Sequence, residues 1–217
     1  MVNLGDVMPN FKAATNEGEI QFHDFIKGSW AILFSHPADF TPVCTTELSQ
    51  AQKLAPEFQK RGVKMVALSC DDAESHQGWI KDIKHYTSDA FSYPIIADPK
   101  REIATSLGML DPEEKDKAGM PLTCRAVFII GPDAKLKLSF LYPATTGRNF
   151  DEIIRVIDSL QLTATKKVAT PVNWKPGDEA MVVPSVKSDN EKTLFPKGVR
   201  HDTVPSGKAY MRFTKDY

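Results

Sequence analysis

The segment HPADFTPVCTTE carries the residues best suited to chemistry: a cysteine, Cys44, three residues after Thr41 and behind two prolines, Pro37 and Pro42. An apolar run ends before this segment and a helical pattern follows it, which predicts that the cysteine lies at the N-terminus of a helix. The free N–H groups of a first helical turn favour an anion, and the thiolate is the nucleophilic form of cysteine. The stiff loop is also expected to expose the thiol. A small buried hydrophobic residue is the alternative, because most free cysteines are of that kind.

The elements on either side of Cys44 predict its position more closely. Residues 30–35, WAILFS, form a continuous apolar run typical of a central strand, and GEIQFHDF before it alternates as a strand does. From Thr45 to Lys60 apolar residues recur at helical spacing, and Gly62 is a natural stop signal. We therefore expect the cysteine at a strand-to-helix junction.

The rest of the chain continues this alternation of strands and helices. The predicted strands are Val63 to Ser69, Pro94 to Ala97, Ala126 to Ile130 and Lys135 to Tyr142, and the predicted helices are Ala73 to Tyr86, Lys100 to Leu107 and Asn149 to Leu160, with Asn149 as N-cap. A charged loop, DPEEKDKAG, precedes the third of these strands. This order predicts an α/β fold with helices on both faces of a mixed sheet. The strictly alternating last strand fits a sheet edge that could pair across a two-fold axis.

The composition of the sequence changes beyond about Thr165. Prolines at 171, 176, 184, 196 and 205 interrupt a charged segment with few apolar runs. We predict a main domain over residues 1–165 and a small C-terminal domain over residues 171–217. The second is too short to bury much core alone, so we expect it to pack on the main domain or on a second subunit.

Composition and charge argue against several classes of protein. The 217 residues are 41% hydrophobic and 25% charged, and 27 basic against 28 acidic residues leave a net charge of −1, with no excess to attract nucleic acid. We find neither a membrane span nor a signal-peptide pattern and expect a cytoplasmic protein. Cys44, Cys70 and Cys124 are too few for a disulfide framework and show no zinc-ligand spacing. We therefore expect free thiols and no metal or other cofactor.

The segment PADFTPVCTTEL is similar to the Pro-x-x-x-Thr-x-x-Cys signature of the peroxiredoxins, and the preceding SH and the following TTEL resemble the one-cysteine, peroxiredoxin 6 type. The likeness covers essentially the whole chain, through LGMLDPEEKDKAGMPLT, GPDAKLKLSFLYPATTGRNFDEI and LQLTATKKVATPVNWKPGD. It implies a thioredoxin-like fold and a homodimer that reduces hydrogen peroxide and organic hydroperoxides, including those of phospholipids. The cysteine would become a sulfenic acid, reduced by an external thiol such as glutathione acting with glutathione S-transferase.

The resemblance also implies roles for individual residues. Cys44 would be the nucleophile, Thr41 the hydroxyl that positions the peroxide, and Pro37 a shield for the loop. Arg125, in LTCRAVF, matches the arginine that stabilises the thiolate and the charge that develops as the O–O bond breaks. Without the motif, Arg125 would be interpreted as a surface charge at the start of a strand. Three further positions match supporting residues of the family: His36, Glu47 and Arg148.

The other two cysteines, Cys70 and Cys124, depart from the positions of resolving cysteines in two-cysteine peroxiredoxins. Neighbouring residues of a strand point to opposite faces, so Cys124 should face away from the site if Arg125 faces it. We predict that both thiols are buried and inert. Two alternatives stay open: an atypical two-cysteine, thioredoxin-dependent peroxidase, and a non-enzymatic redox sensor or holdase chaperone.

A second activity, calcium-independent phospholipase A2, is also associated with the peroxiredoxin 6 type. By match its serine, histidine and aspartate would be Ser29, His23 and Asp133. The sharp turn of a nucleophile elbow needs glycines two residues before and after the serine, and this sequence has Lys27 and Ala31 there. The sequence therefore supports that activity only weakly.

Overall fold

The computed structural model describes residues 2–217, and its internal contacts divide the chain into two compact units, one ending at Phe150 and the other beginning at Asp151. The sequence predicts a later boundary, between residues 165 and 171, because the amino-acid composition changes there. Each unit contains a sheet of its own.

The larger unit is built on a seven-stranded mixed sheet and a separate hairpin. Its strands are β1 (Lys12–Thr15), β2 (Gly18–Gln21), β3 (Trp30–Ser35), β4 (Val63–Ser69), β5 (Ile95–Ala97), β6 (Leu110–Lys115), β7 (Pro121–Thr123), β8 (Arg125–Ile130) and β9 (Leu136–Tyr142). Along the main sheet the order is β2-β1-β5-β4-β3-β8-β9, with β3 parallel to β4 and antiparallel to β8, while β6 pairs with β7. Its helices are α1 (Phe22–Ile26), α2 (Pro42–Lys53), α3 (Ala55–Lys60), α4 (Ala73–His85) and α5 (Glu102–Leu107).

The centre of this sheet is dry because its strands carry mostly apolar side chains. Residues 31–35 of β3 and 125–130 of β8 are buried throughout, as expected for strands covered on both faces. Each large apolar side chain buried in this way contributes about 1.5–3 kcal/mol relative to an exposed one. The mixed sheet predicted from the sequence is confirmed.

Two predicted elements of this unit are wrong. The predicted strand through GEIQFHDF ends at Gln21, and α1 follows, with Phe22 and Ile26 buried four residues apart as a helix requires. The predicted charged loop contains most of β6, which pairs with β7 around Gly119, whose φ is 79°. Glycine adopts this left-handed conformation without the steric cost of a side chain.

The helix predicted from Thr45 to Lys60 is in fact two helices, α2 and α3, which meet at Leu54. Pro56 lies in the first turn of α3. Because proline has no N–H, it cannot continue the hydrogen-bond ladder of α2, and a new helix begins.

The first turn of α2 carries Cys44, at the predicted junction between strand and helix. β3 ends at Ser35 and α2 begins at Pro42, with Thr41 in an extended conformation directly before it. Proline fits the first helical position because its missing N–H would have no partner there. The short loop between the two elements therefore fixes where the thiol can lie.

The strand β9 lies at one end of the main sheet, where β8 is its neighbouring strand and residues 5 and 6 form backbone hydrogen bonds only with its first residue, Leu136. Exposure alternates near its end, where Ser139 and Leu141 face solvent, and Leu141 is 59% exposed. The predicted edge strand is confirmed.

The smaller unit combines most of helix α6 (Phe150–Thr165) with a four-stranded antiparallel sheet. The strands, in the sheet order β10-β11-β13-β12, are β10 (Val168–Ala169), β11 (Ala180–Val182), β12 (Arg200–His201) and β13 (Arg212–Thr214), with helix α7 (Glu191–Leu194) after a 3₁₀ turn (Ser188–Asn190). α6 begins directly after Asn149, the predicted N-cap, and continues past the predicted end at Leu160. None of the helices formed by residues 2–217 is long and apolar enough to cross a membrane.

Candidate active site

Cys44 lies in the first turn of α2 with its side chain turned into the protein, and it is 0% exposed to solvent. The expectation of an exposed thiol is therefore wrong. The first turn faces inward because Glu47 and Leu48 are buried on the same side of the helix. The sulfur accepts a hydrogen bond from a guanidinium nitrogen, Arg125 Nη1, at 3.2 Å.

Arg125 opens β8 and is 3% exposed, so its interpretation as a surface charge is wrong. Its Nη1 also donates to Glu47 Oε2 at 2.8 Å, while Nε and Nη2 donate to the Ala144 carbonyl oxygen at 3.0 and 2.6 Å. Two sets of partners on different sides hold the plane of the guanidinium group. The position of Arg125 against the sulfur is therefore fixed by groups other than the sulfur itself.

Glu47 follows Cys44 by three residues, so both side chains leave the same face of α2. Its carboxylate is held by Arg148, whose backbone N and Nε donate to Oε1 at 2.7 and 3.0 Å and whose Nη2 donates to Oε2 at 2.8 Å. Arg148 Nη1 donates in turn to the carbonyl oxygens of Ser35 and Ala126, each at 2.8 Å. These bonds join α2, β3 and β8 around the cysteine.

The charges of this cluster are balanced only when the cysteine is ionised. Two guanidinium cations, of Arg125 and Arg148, meet one carboxylate, of Glu47, in a region closed to water. Burial raises the pKa of Glu47, but Coulomb attraction and hydrogen bonds from Arg148, aided by Arg125, outweigh burial and keep the pKa below its usual value. An unpaired positive charge in a buried site is unfavourable, so the arrangement favours the thiolate of Cys44.

Thr41 and Pro37 border the loop that carries the thiol, and Pro37 is buried. The hydroxyl of Thr41 donates to the Ala38 carbonyl oxygen at 2.8 Å. Its hydrogen is therefore already donated, and the lone pairs of Oγ1 can accept a hydrogen bond from an incoming donor. Within the part of the chain that the structure describes, no hydrogen bond joins either residue to Cys44.

His36 is fully buried beside the same loop and belongs to a network that sequence reasoning missed. Its Nε2 lies 2.8 Å from Asp39 Oδ1, and Asp39 Oδ2 lies 2.7 Å from His76 Nδ1. Asp39 is part of the cysteine motif, but His76 comes 37 residues later and no spacing in the sequence signals the pair.

Three residues of this network, His36, Asp39 and Asp71, bring possible metal-ligand atoms within 4.8 Å of one another. Both carboxylates already accept hydrogen bonds from protein donors, Asp39 from Ser75 Oγ and Asp71 from the backbone N of Asp39. A metal ion would have to displace these donors. We therefore interpret the cluster as a hydrogen-bond network.

The other two cysteines are free and buried, Cys70 at 7% and Cys124 at 9% exposure. Burial raises the pKa of Cys70 to about 11, against a smaller opposing attraction from Arg101, and burial also raises the pKa of Cys124. Cys124 packs with Ala126 in an apolar cluster, while Arg125 between them contacts Cys44. Cys124, directly before β8, and Arg125, its first residue, thus face opposite sides, as strand alternation predicts.

The residues matched to the second activity have other hydrogen-bond partners. His23 Nε2 lies 2.7 Å from the Met8 carbonyl oxygen, and Asp133 is exposed and accepts from Lys137 Nζ at 2.6 Å. Ser29 Oγ lies 3.5 Å from the carbonyl oxygen of Lys27, the neighbour two positions before it. Among residues 2–217 no hydrogen bond joins any two members of the set Ser29, His23 and Asp133.

Comparison with protein families gives two matches along the chain. The model of the AhpC/TSA family matches residues 4–139, and that of the C-terminal domain of 1-Cys peroxiredoxin matches residues 159–197. Among curated proteins, peroxiredoxin-6 of Gallus gallus is 65% identical over 215 residues, which cover 97% of this chain and 96% of that protein. Peroxiredoxin-6 of Homo sapiens is 62% identical over the same length and shares of the two chains.

Two solved structures resemble the whole chain. A mutant of the peroxiredoxin 6 of Arenicola marina has a TM-score of 0.97 and 58% identity, and the match covers 100% of this chain and 99% of that one. The yeast mitochondrial 1-Cys peroxiredoxin, solved for its thiol resolving mechanism via glutathione/thioredoxin systems, has a TM-score of 0.89 and 46% identity over 99% of both chains. The predicted thioredoxin-like fold is confirmed by these likenesses.

Proposed function

Since the chain belongs to the one-cysteine peroxiredoxins of the peroxiredoxin 6 type, which are thiol-dependent peroxidases, we propose that Cys44 is its peroxidatic nucleophile. The observation that supports this assignment best is the hydrogen bond from Arg125 Nη1 to the sulfur, at 3.2 Å. A guanidinium group in that place stabilises an anion without competing for a proton. The excess positive charge of the surrounding cluster acts in the same direction.

In the proposed reaction the thiolate of Cys44 attacks the terminal oxygen of a hydroperoxide. An S–O bond forms while the O–O bond breaks, so the sulfur is oxidised to a sulfenic acid and the peroxide is reduced to an alkoxide or hydroxide, which takes up a proton and leaves as alcohol or water. Arg125 stabilises the negative charge that moves to the leaving oxygen. Because that charge exists only as the bond breaks, this contact lowers the barrier rather than merely binding the substrate.

Thr41, Pro37 and His36 are proposed to position the peroxide and the oxidised sulfur. Thr41 Oγ1 has free lone pairs, because its hydrogen is donated to Ala38, and these can accept the peroxide hydroxyl. Pro37 keeps water from the loop, and the buried ring of His36 can accept a hydrogen bond from the sulfenic acid. Glu47 and Arg148 hold Arg125 in place.

We propose that an external thiol resolves the sulfenic acid. Cys70 and Cys124 are unsuited to this step because the pKa of each is raised, and thiol exchange needs a thiolate. The external thiol attacks the sulfenic sulfur and releases water, and a second thiol frees Cys44 from the mixed disulfide. By analogy with the yeast relative, which is resolved via glutathione/thioredoxin systems, glutathione is the proposed donor, with glutathione S-transferase as a partner.

Organic hydroperoxides, including those of phospholipids, are proposed as substrates beside hydrogen peroxide. A groove of about 750 Å³ borders Thr41, and the exposed aromatic rings of Phe40 and Tyr86 form part of its wall. Such a surface would suit an apolar group attached to the peroxide.

A homodimer is proposed, with β9 as the strand that pairs across a two-fold axis. The strand lies at the sheet edge and exposes Leu141, which a second copy would cover. The C-terminal domain expected over residues 171–217 is proposed to take part in the same assembly. A cytoplasmic location fits three free thiols in a reducing compartment. The contacts described for residues 2–217 add no support for lipid hydrolysis by Ser29, His23 and Asp133.

The test of the proposed nucleophile is the Cys44→Ser variant, with Cys70→Ser and Cys124→Ser as controls. We expect Cys44→Ser to abolish turnover of peroxide with added thiol while far-UV circular dichroism stays unchanged, and the controls to keep their turnover. Retention of a tenth of wild-type activity by Cys44→Ser would refute the assignment, because a tenfold loss corresponds to only about 1.4 kcal/mol of barrier. Turnover that stops after one equivalent of peroxide, despite added thiol, would instead indicate a sensor.

A further inference from the structure

Helix α4 supports the cysteine loop through three side chains on adjoining turns. Ser75 Oγ donates to Asp39 Oδ2 at 2.8 Å, and His76 Nδ1 lies 2.7 Å from the same oxygen. One turn later, Trp79 Nε1 donates to Thr45 Oγ1 at 3.0 Å, next to Cys44 in the first turn of α2. Helix α4 thus holds both the cysteine loop and the first turn of α2 in place.

The hydrogen-bond partners of His76 decide where its protons lie. Its Nε2 lies 3.2 Å from the carbonyl oxygen of Ile96, which can only accept, so Nε2 carries a hydrogen. Burial raises the pKa of Asp39, but hydrogen bonds from His36 and His76 outweigh it and keep the pKa well below the usual range. An ionised carboxylate also only accepts, so Nδ1 of His76 carries a hydrogen as well. Both ring nitrogens of His76 then face acceptors, Nδ1 the carboxylate of Asp39 and Nε2 the carbonyl oxygen of Ile96.

The same reasoning fixes the proton of His36. Its Nε2 lies 2.8 Å from Asp39 Oδ1, so Nε2 is the donor. Among the described residues its Nδ1 is buried without a hydrogen-bond partner. A second proton there would create a charged donor with nothing to bind, which is far less favourable than an idle lone pair. His36 is therefore neutral, with Nδ1 left as an acceptor.

We propose that His76 is a positioning residue for the peroxidase reaction: its Nδ1–H holds Asp39, and Asp39 in turn holds the His36 ring in one tautomer, with Nδ1 as the acceptor. This inference rests on the proposed function of Cys44. His76 does not touch the sulfur and acts through Asp39 and His36 alone. Its role is to keep the polar ring beside the cysteine loop in one orientation and one protonation state.

Two substitutions of His76 separate this role from mere support of the fold. His76→Asn keeps an N–H close to the place of Nδ1, facing Asp39, whereas His76→Gln keeps one close to the place of Nε2, facing the Ile96 carbonyl oxygen. Both side chains are polar and uncharged. Lys81→Gln, on an exposed position of the same helix, serves as control.

Two measurements are made on each variant: the rate of Cys44 oxidation by hydrogen peroxide in stopped flow, and the tautomer of His36 from long-range ¹H–¹⁵N correlation spectra. We expect His76→Gln to react about tenfold more slowly and to show mixed His36 tautomers, and His76→Asn to stay within about threefold of wild type with one tautomer. The control should match wild type in both measurements.

Equal rates and an unchanged His36 tautomer in the Asn and Gln variants would overturn the proposal. Equal losses in both variants, at unchanged circular dichroism, would also overturn it, because the donor to Asp39 would then not matter. Failure of the proposed function looks different: the wild type itself would show no peroxide oxidation at Cys44. The spectra of His36 are interpreted independently of that outcome.

Discussion

Cys44 and Cys70 are both buried free cysteines, and their surroundings differ in how an arginine reaches them. The sulfur of Cys44 accepts a hydrogen bond from Arg125 Nη1 at 3.2 Å, within a cluster that carries one more cation than carboxylates. Arg101 attracts the thiolate of Cys70 only through space, because its own hydrogen bonds go to Asp116 and to two carbonyl oxygens.

Burial works against a thiolate unless a nearby cation opposes it. Burial raises the pKa of Cys70 to about 11, and the attraction of Arg101 only partly opposes it. At Cys44 the more complete burial is accompanied by direct donation from a guanidinium group that Glu47 and Ala144 hold in place. We therefore expect the reactivity of a buried cysteine to depend on its partners and not on its exposure.

The first prediction tests this difference between the two cysteines by removing each arginine in turn. We expect Arg125→Ala to slow oxidation of Cys44 by peroxide about 500-fold, as for the loss of a donor that stabilises developing charge. Arg125→Lys keeps the charge, but an ammonium group cannot serve sulfur, carboxylate and carbonyl oxygen in one plane, so only part of the rate should return.

The control for that prediction is Arg101→Ala, which removes the cation near Cys70. Stopped-flow measurement should find its Cys44 oxidation within about twofold of wild type. Similar losses in Arg101→Ala and Arg125→Ala would mean that general positive charge, and not contact with the sulfur, is responsible.

The second prediction concerns the carboxylate that holds both arginines. Glu47→Gln removes the carboxylate that pairs with both buried guanidinium groups and should lower the free energy of unfolding at pH 7 by about 3 kcal/mol. The pKa of Glu47 is lowered in the folded protein, so its stabilisation is complete above its ordinary range, about pH 4.3, and is lost as the pH falls further. Urea unfolding should therefore show a wild-type advantage that is constant from about pH 7 to 5 and shrinks below pH 4.

A wild-type advantage that persists unchanged at the lowest pH would contradict the electrostatic origin of this effect. Glu57→Gln is the matched control, because the same substitution is made on a half-exposed carboxylate of the neighbouring helix α3, which pairs with Arg61. Its unfolding free energy should stay close to that of wild type.

The third prediction tests whether the other thiols take part after oxidation. Excess peroxide without a thiol donor should add successive oxygen atoms to Cys44, because neither Cys70 nor Cys124 is placed to capture the sulfenic acid quickly. Intact-mass spectra of the non-reduced protein should be the same in wild type, Cys70→Ser and Cys124→Ser. Loss of two hydrogens and a peptide linked through Cys44 would instead establish the atypical two-cysteine mechanism.

Long apolar runs and the cysteine motif carried most of what could be predicted from the sequence. WAILFS and VKMVALS were located correctly because a run of that length fits only a buried strand in this context. The strand prediction for GEIQFHDF was wrong beyond Gln21, because alternation over so few residues is compatible with a strand or a helical turn. The hairpin of β6 and β7 was missed because its strands are charged and partly exposed, so packing gives no pattern.

The parts of the site differ in the same way. Arg125 lies 81 residues from Cys44, and Arg148 lies 101 residues from Glu47, so only the resemblance to a family could join them in advance. No motif included His76, and its contact with Asp39 was therefore missed. Long-range pairs of polar residues follow from the topology of the sheet, which spacing along the chain does not encode.

The smallest effect is expected at Ser29, a second candidate nucleophile whose surroundings lack the charged partners of Cys44. Among the residues that the structure describes, Ser29 has no cation or carboxylate as a hydrogen-bond partner, and its hydroxyl lies 3.5 Å from the carbonyl oxygen of Lys27. Lys27 and Ala31 also deny the chain the sharp turn that activates a lipase serine. We therefore expect Ser29→Ala to leave peroxide turnover within about twofold of wild type.

The same preparations should be assayed for release of fatty acid from phosphatidylcholine vesicles, with Thr46→Ala, a hydroxyl removed from an exposed helix position, as control. Wild-type hydrolysis that disappears in Ser29→Ala and persists in the control would show that a serine without the activating contacts seen around Cys44 can still be a nucleophile here.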